Sequence, residues 1–329
     1  MVNLRLWAAA LNGMPGVTTE QWAQLDPVAR WLLACRASVL FMTLTAAMLG
    51  GLLAWRAGSF DPLFWFACAT GLLFAHASNN LLNDYTDSRR GIDRGNYYRN
   101  QYGVHVLEDG LMSEAQFWRY FAFTAGVALA LGLWLVSERS GPTLALLLAG
   151  AFFVLFYTWP LKYIGLGEPA VLLVWGPLMV GGTYFVVSGE WSNEVAWLSL
   201  VFALGPTTVL FGKHIDKLGA DRARGVHTLP VLLGEKRARG TTAALLLAQY
   251  ALTLGLVLTQ AFGWPLLLVF ASVPALQKTL RSLRASKPET RPAAYSAALW
   301  PLWFSAACFR HTRQFTPLFL TGVLVDTLL

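Results

Sequence analysis

The chain has 329 residues, of which 56% are hydrophobic and only 13% charged, with a net charge of +7 and 14 tryptophans. Soluble domains carry about 25% charged residues, so this composition excludes an ordinary water-soluble enzyme and points to an integral membrane protein. Cys35, Cys68 and Cys308 stand singly in apolar surroundings, which excludes both a metal-ligand spacing and a complete disulfide set.

In chain order, residues 1–32 hold Glu20 and Asp26 and lack a sustained apolar region ahead of a small-residue cleavage site, so no cleavable signal sequence is expected. Thr18 and Gln21 have capping-box spacing, followed by Trp22, Leu25 and Trp31, which predicts a surface helix leading into the first span. The expected division is an N-terminal cytoplasmic or interfacial segment, 1–32, and a single membrane domain, 33–329. Runs long enough for ~30 Å of hydrocarbon lie near 33–55, 62–83, 117–137, 142–158, 168–188, 195–212, 240–261 and 262–280. The run 297–309 is too short for a span and reads as interfacial, whereas 315–329 can cross with little tilt. The fold class expected is all-α, a polytopic membrane protein with about nine transmembrane helices and cytoplasmic cap loops.

Lysine and arginine set the orientation. With the N-terminus inside, the loops after the even-numbered spans carry Arg89, Arg90, Arg94, Arg99, Lys162, Lys213, Lys217 and the basic runs at 222–239 and 278–291. The opposite loops between spans offer only Arg56 and Arg139. That bias places the first set of loops in the cytoplasm. The positive net charge is thereby explained by topology and requires no nucleic-acid partner.

The stretch NNLLNDYTDSRRGID (79–93) follows the second apolar run. Spacings of four and three align Asn80, Asp84 and Asp87 on one helical face, with Asp93 further on. Ionisable groups at the edge of hydrocarbon are expensive and read as functional. A second acidic stretch, HIDKLGADRARG (214–225), follows another apolar run. Carboxylates at helix ends suit Mg²⁺, which takes oxygen ligands while bridging substrate phosphates. Two such clusters facing each other would hold metal around a diphosphate, with Arg90 and Lys217 adding positive charge. The bland alternative is that these residues only cap helix ends at a wet surface. The loop 84–116 contains GNYYRNQYG (95–103), a segment long enough for a lid, and ends at Ser113, which with Gln116 forms another capping box.

At these residues the chain resembles a known family. N-x-x-x-D-x-x-D, continued to Asp93 as NDYTDSRRGID, is similar to the first motif of the UbiA superfamily of intramembrane prenyltransferases, and DRARGVHTLPVLLG (221–234) to the segment after its second aspartate motif. YTWPLKYIGLGE (157–168), GPLMVGGTY (176–184) and VLEDGLMS (106–113) look most like the 1,4-dihydroxy-2-naphthoate polyprenyltransferase branch. The resemblance implies nine helices around a central cavity open to lipid on one side. It implies Mg²⁺-dependent ionisation of an allylic polyprenyl diphosphate and transfer of the chain to a small, usually aromatic, acceptor. By the same resemblance Asn80, Asp84 and Asp87 match the first metal motif and Asp221 the last acid of the second. Tyr157 and Lys162 match a Tyr and Lys after the fourth helix, the Lys contacting diphosphate, and Arg36 a basic residue that also faces it.

One departure stands out. The family's second motif spaces its aspartates four apart, but Asp216 and Asp221 are five apart, about 140° around an ideal helix. Lys217 takes the place four residues before Asp221. Either Gly219 lets the chain unwind and brings both acids to a metal, or Asp221 binds metal alone while Lys217 takes a phosphate; the number of metals stays open.

Apolar walls and a closing loop would protect an allylic cation from water. Aromatic faces can stabilise one, with Tyr157, Trp159, Trp175 and Tyr184 as candidates beside the plainer reading as packing or interface anchors. His76, one turn before Asn80, and His214, near Asp216, are each either structural or able to face substrate. His105, His227 and His311 read as structural. Two other classes compete. A different Mg²⁺-dependent membrane lipid transferase, such as a phosphatidyl-alcohol transferase, lacks its D-G-x-x-A-R pattern here. A transporter would place ionisable residues at mid-membrane, whereas these acids cluster at one side.

Overall fold

A computed structural model describes residues 3–92, 103–297 and 299–329. Asp93, Arg94, Arg99 and the tyrosine-rich stretch up to residue 102 lie outside the described residues.

Every regular element among the described residues is helical. Three short helices come first, α1 (Leu4–Asn12), α2 (Thr19–Ala23) and α3 (Pro27–Ala34). Each begins on a side chain that accepts a backbone N–H the helix cannot satisfy itself. Asn3 caps α1, Thr18 and Gln21 form the expected reciprocal box on α2, and Asp26 caps α3. The Ala29 N–H donates to Asp26 at 2.9 Å and the Trp7 indole at 3.1 Å; these bonds hold the carboxyl below the usual carboxylate range.

The remaining helices are α4 (Phe41–Arg56), α5 (Pro62–Arg89), α6 (Glu114–Glu138) and α7 (Thr143–Phe156). After them come α8 (Gly167–Leu173) and α9 (Gly182–Ser188), α10 (Asn193–Asp216), α11 (Leu218–Ala223), α12 (Leu229–Leu233), α13 (Glu235–Leu258), α14 (Val273–Arg284) and α15 (Trp303–Leu328). A widened turn at Val174–Gly181, with Gly176 at φ −95° and ψ −105° beside Pro177, joins α8 to α9 in one span-length rod. Ser113 and Gln116 cap α6 reciprocally, as their spacing predicts.

Six helical rods among the described residues are long and apolar enough to cross a membrane: Ala37–Arg56, Glu114–Glu138, Gly167–Ser188, Asn193–Asp216, Glu235–Leu258 and Trp264–Arg284. The expected spans at 62–83 and 142–158 also fall on helices, but α5 is diluted by its asparagines and aspartates. At 14 residues α7 is about 21 Å long. The chain's end differs from expectation. The separate interfacial run 297–309 and span 315–329 are replaced by one 26-residue helix, α15. It stays helical through Arg310, His311 and Arg313, of which His311 is buried and the two arginines are exposed. His311 Nε2 lies 2.8 Å from the Tyr250 hydroxyl, which is 2.6 Å from Ser272 Oγ.

The chain forms two compact units. The first comprises Met1–Thr45 and Phe66–Trp159, the second Ala46–Trp65 and Pro160–Leu329. In the first, the N-terminal helices share a core with α5 and α6: Trp22, Leu32 and Leu33 pack with Ala77, Leu81 and Phe117. In the second, α10 is the axis, touching α8, α13 and α15. Helix association within a bilayer relies on close packing rather than hydrophobic burial, and favours small residues at the seam. Gly205 and Gly212 supply that seam: a Cβ on Gly212 would sit 2.7 Å from the Ser305 backbone, and one on Gly205 2.9 Å from Thr312 Cγ2.

Candidate functional site

In the first unit the motif on α5 is folded as its spacing predicts. Asn80, Asp84 and Asp87 share a face and are buried, Asp84 to 2% exposure. Their neighbour is Arg36, at a corner between α3 and α4 where the backbone adopts φ 55° and ψ 55°. Asn80 Nδ2 donates to the Cys35 carbonyl at 2.9 Å, tying that corner to α5. Arg36 Nη2 then lies 3.3 Å from Asp84 Oδ1, 3.4 Å from Asn80 Oδ1 and 3.3 Å from the Asn80 carbonyl. The adjacent asparagines, which sequence reasoning passed over, anchor the other face. Asn79 Nδ2 donates to the Val154 carbonyl at 3.1 Å and Asn83 Nδ2 to Thr158 Oγ1 at 3.0 Å. They hold α5 against the end of α7, where Tyr157 is half-buried. The Arg90 guanidinium stacks 4.8 Å over the Trp159 ring. His76 Nδ1 is 2.7 Å from Thr43 Oγ1, the partner expected of a packed histidine.

This cluster presents two carboxylates and an amide oxygen with an arginine alongside, a donor set suited to a hard cation. Mg²⁺ ordinarily takes one or two carboxylates and completes its shell with water and phosphate oxygens, so the residues fit. Among the described residues no three His, Cys, Asp or Glu side chains converge into a cage made of protein alone.

In the second unit the acidic stretch is divided between two tasks. Asp216, the last residue of α10, accepts from the Phe304 N–H at 3.2 Å, the Ser305 N–H at 2.9 Å and Lys287 Nζ at 3.3 Å. It thus satisfies orphan donors at the start of α15, and the close approach at Gly212 allows it to reach them. Asp221 points elsewhere: Lys217 Nζ lies 3.5 Å from its Oδ1. Asp216 and Asp221 thus have different partners, and Gly219 stays helical within α11. The break in the chain falls at Lys217, between α10 and α11.

Glu168, also passed over, is the buried partner of His214, with Oε1 2.6 Å from Nδ1, and its Oε2 accepts from the Leu229 N–H at 3.3 Å. The two lie 46 residues apart, so no local spacing announces them. Lys162 sits in the single turn Leu161–Ile164, its Nζ 5.5 Å from the Tyr163 ring centre. Trp175 is buried in the widened turn. Tyr184 lines a cavity of about 300 Å³ with Arg56, Glu194 and Phe262. Glu194 is one end of α10 and Asp216 the other, about 33 Å away, so Tyr184 lies far from the second motif.

A helical membrane protein with this motif on its second long helix belongs to a recognisable class, and the comparison with known sequences agrees. Residues 41–316 match the UbiA prenyltransferase family, and the chain belongs to it. It is accordingly a multi-pass membrane prenyltransferase. Its relatives include the 1,4-dihydroxy-2-naphthoate octaprenyltransferase of Escherichia coli (strain K12), 30% identical over 276 residues, covering 80% of this chain and 87% of that protein. The fold is shared with a UbiA homologue from Aeropyrum pernix K1 solved in its apo form, with a TM-score of 0.64 at 20% identity over 88% of this chain and 98% of that one. It is shared too with a UbiA homologue from Archaeoglobus fulgidus solved with GPP and Mg²⁺, with a TM-score of 0.51 at 15% identity over 87% and 99%.

Proposed function

We propose that this protein transfers a polyprenyl group from an allylic polyprenyl diphosphate to a small aromatic quinone precursor, a dihydroxynaphthoate first, in a Mg²⁺-dependent reaction. The reaction is assigned to the cytoplasmic side of the cell (inner) membrane, with all nine long helical segments crossing it. The observation that carries the reading is the buried Asn80–Asp84–Asp87 face with Arg36 against it, on the motif where the family resemblance puts metal and diphosphate. The archaeal homologue solved with GPP and Mg²⁺ supports the donor and the metal, and the E. coli octaprenyltransferase supports the acceptor.

Asp84, Asp87 and the Asn80 amide oxygen would hold Mg²⁺, which supplies positive charge to the diphosphate as a leaving group. The chain's own residues do the rest. Arg36 and Arg90, on the unit that carries the α5 motif, neutralise phosphate oxygens as the allylic C–O bond lengthens, a preorganised electrostatic contribution; Lys162 and Lys217 are the cations that the second unit offers a diphosphate. Tyr157 and Trp159 are the aromatic candidates for stabilising allylic positive charge. Asp221 pairs with Lys217, whereas Asp216 is left to the start of α15.

The test is a mass-spectrometric assay of purified Asp84→Ala and Asp87→Ala variants with labelled polyprenyl diphosphates and a panel of aromatic acceptors. Each variant should lose roughly 100-fold or more of prenyl transfer. Undiminished transfer in the doubly substituted protein would sink the proposal. Diphosphate release without a prenylated product would favour a hydrolase or synthase instead.

A further inference from the structure

The second acidic motif does not fit a second metal ion. Its two acids have different partners: the oxygens of Asp216 accept from Phe304, Ser305 and Lys287, and Asp221 pairs with Lys217. That carboxylate has an ammonium 3.5 Å away, with the Lys217 side chain 14% exposed and the Asp221 side chain 6%. The pair sums to no net charge. A divalent cation at Asp221 would gain one carboxylate, already shared, and would repel the ammonium beside it. Mg²⁺ also sheds its water reluctantly and demands near-octahedral oxygen geometry, which one paired carboxylate does not offer.

We propose that the second motif holds no metal ion: Lys217 takes its place, its ammonium binds a phosphate oxygen of the allylic diphosphate, and Asp221 positions it. The inference rests on the prenyl-transfer reading and deepens it. The chain geometry explains the exchange. Lys217 and Asp221 are four apart on one helical face, with the Asp221 N–H bonded to the Lys217 carbonyl at 2.9 Å, while Asp216, one residue earlier, turns to α15. An ammonium carries three N–H donors, and the Asp221 contact occupies one direction, leaving others for an anion. A lysine acts here as a compact point charge that needs no further ligands.

Full-length protein in nanodiscs, saturated with the non-ionising analogue geranyl thiodiphosphate and titrated with Mn²⁺ as the metal probe, provides the test by electron paramagnetic resonance. The expected result is one Mn²⁺ bound per chain. Lys217→Ala should weaken analogue affinity about tenfold with the same metal count. Asp216→Asn should lower thermal stability without changing either number. Two bound Mn²⁺ per wild-type chain, or unchanged affinity in Lys217→Ala, overturns the proposal. A folded wild-type protein that binds no analogue at any Mn²⁺ concentration overturns the prenyl-transfer reading instead.

Discussion

Arg36 combines a strained backbone with the contact that Asp84 makes. A left-handed conformation costs a non-glycine residue about 1–2 kcal/mol, and such strain persists where surrounding structure enforces it. Here the enforcement is visible: Asn80 holds the Cys35 carbonyl, and Arg36 Nη2 reaches back to Asn80 and Asp84. Backbone and side chain can be separated experimentally. Arg36→Gly should melt above Arg36→Ala by about 1 kcal/mol, because glycine accepts the conformation. Both should lose prenyl transfer equally, by tenfold or more, because both lack the guanidinium. Thermal melts and transfer assays run on the same preparations decide it; a faster Arg36→Gly enzyme would mean that strain, rather than charge, matters at this corner.

At the scale of elements, the seam between α10 and α15 is a close-packed contact of the second unit. Gly212 lets the two backbones meet, Asp216 caps α15 through that approach, and the Tyr250 hydroxyl meets His311 Nε2 further along. A Cβ at Gly212 meets backbone rather than a yielding side chain, so neither helix can give way cheaply. Gly212→Ala should lower stability by about 1–3 kcal/mol, the range for overpacking. Gly219→Ala, with nothing within 4 Å of the added carbon, should be neutral or slightly stabilising. Melting curves in one detergent test both; equal effects would mean that the seam is looser than these distances.

For the whole molecule, sidedness is the open quantity and lysine and arginine govern it. The loop after α4 should face the outside, and the loop between α12 and α13, next to Lys236 and Arg237, should face the cytoplasm. Cys35, Cys68 and Cys308 are all buried, so wild-type labelling by a membrane-impermeant maleimide should be low. In sealed inside-out vesicles, Arg237→Cys should label and Ser59→Cys should not; the reverse pattern would invert the topology and with it the side on which diphosphate must arrive.

Properties that depend on neighbours within a few turns could be read from the sequence alone. The helical rods follow from apolar runs, the caps at Thr18 and Ser113 from spacing to Gln21 and Gln116, and the shared face of Asn80, Asp84 and Asp87 from four-and-three periodicity. The basic loops by themselves set an expected orientation. Tertiary structure decided what distant residues do to one another. Asp216 and Asp221 look like a metal pair in one dimension, yet Phe304 and Ser305, nearly ninety residues away, claim the first of them. Glu168 became a partner for His214 across 46 residues, and His311 at the centre of α15 found the Tyr250 hydroxyl across 61. A carboxylate's role depends on which donors reach it first, and those donors are chosen by helix packing rather than by position in the chain.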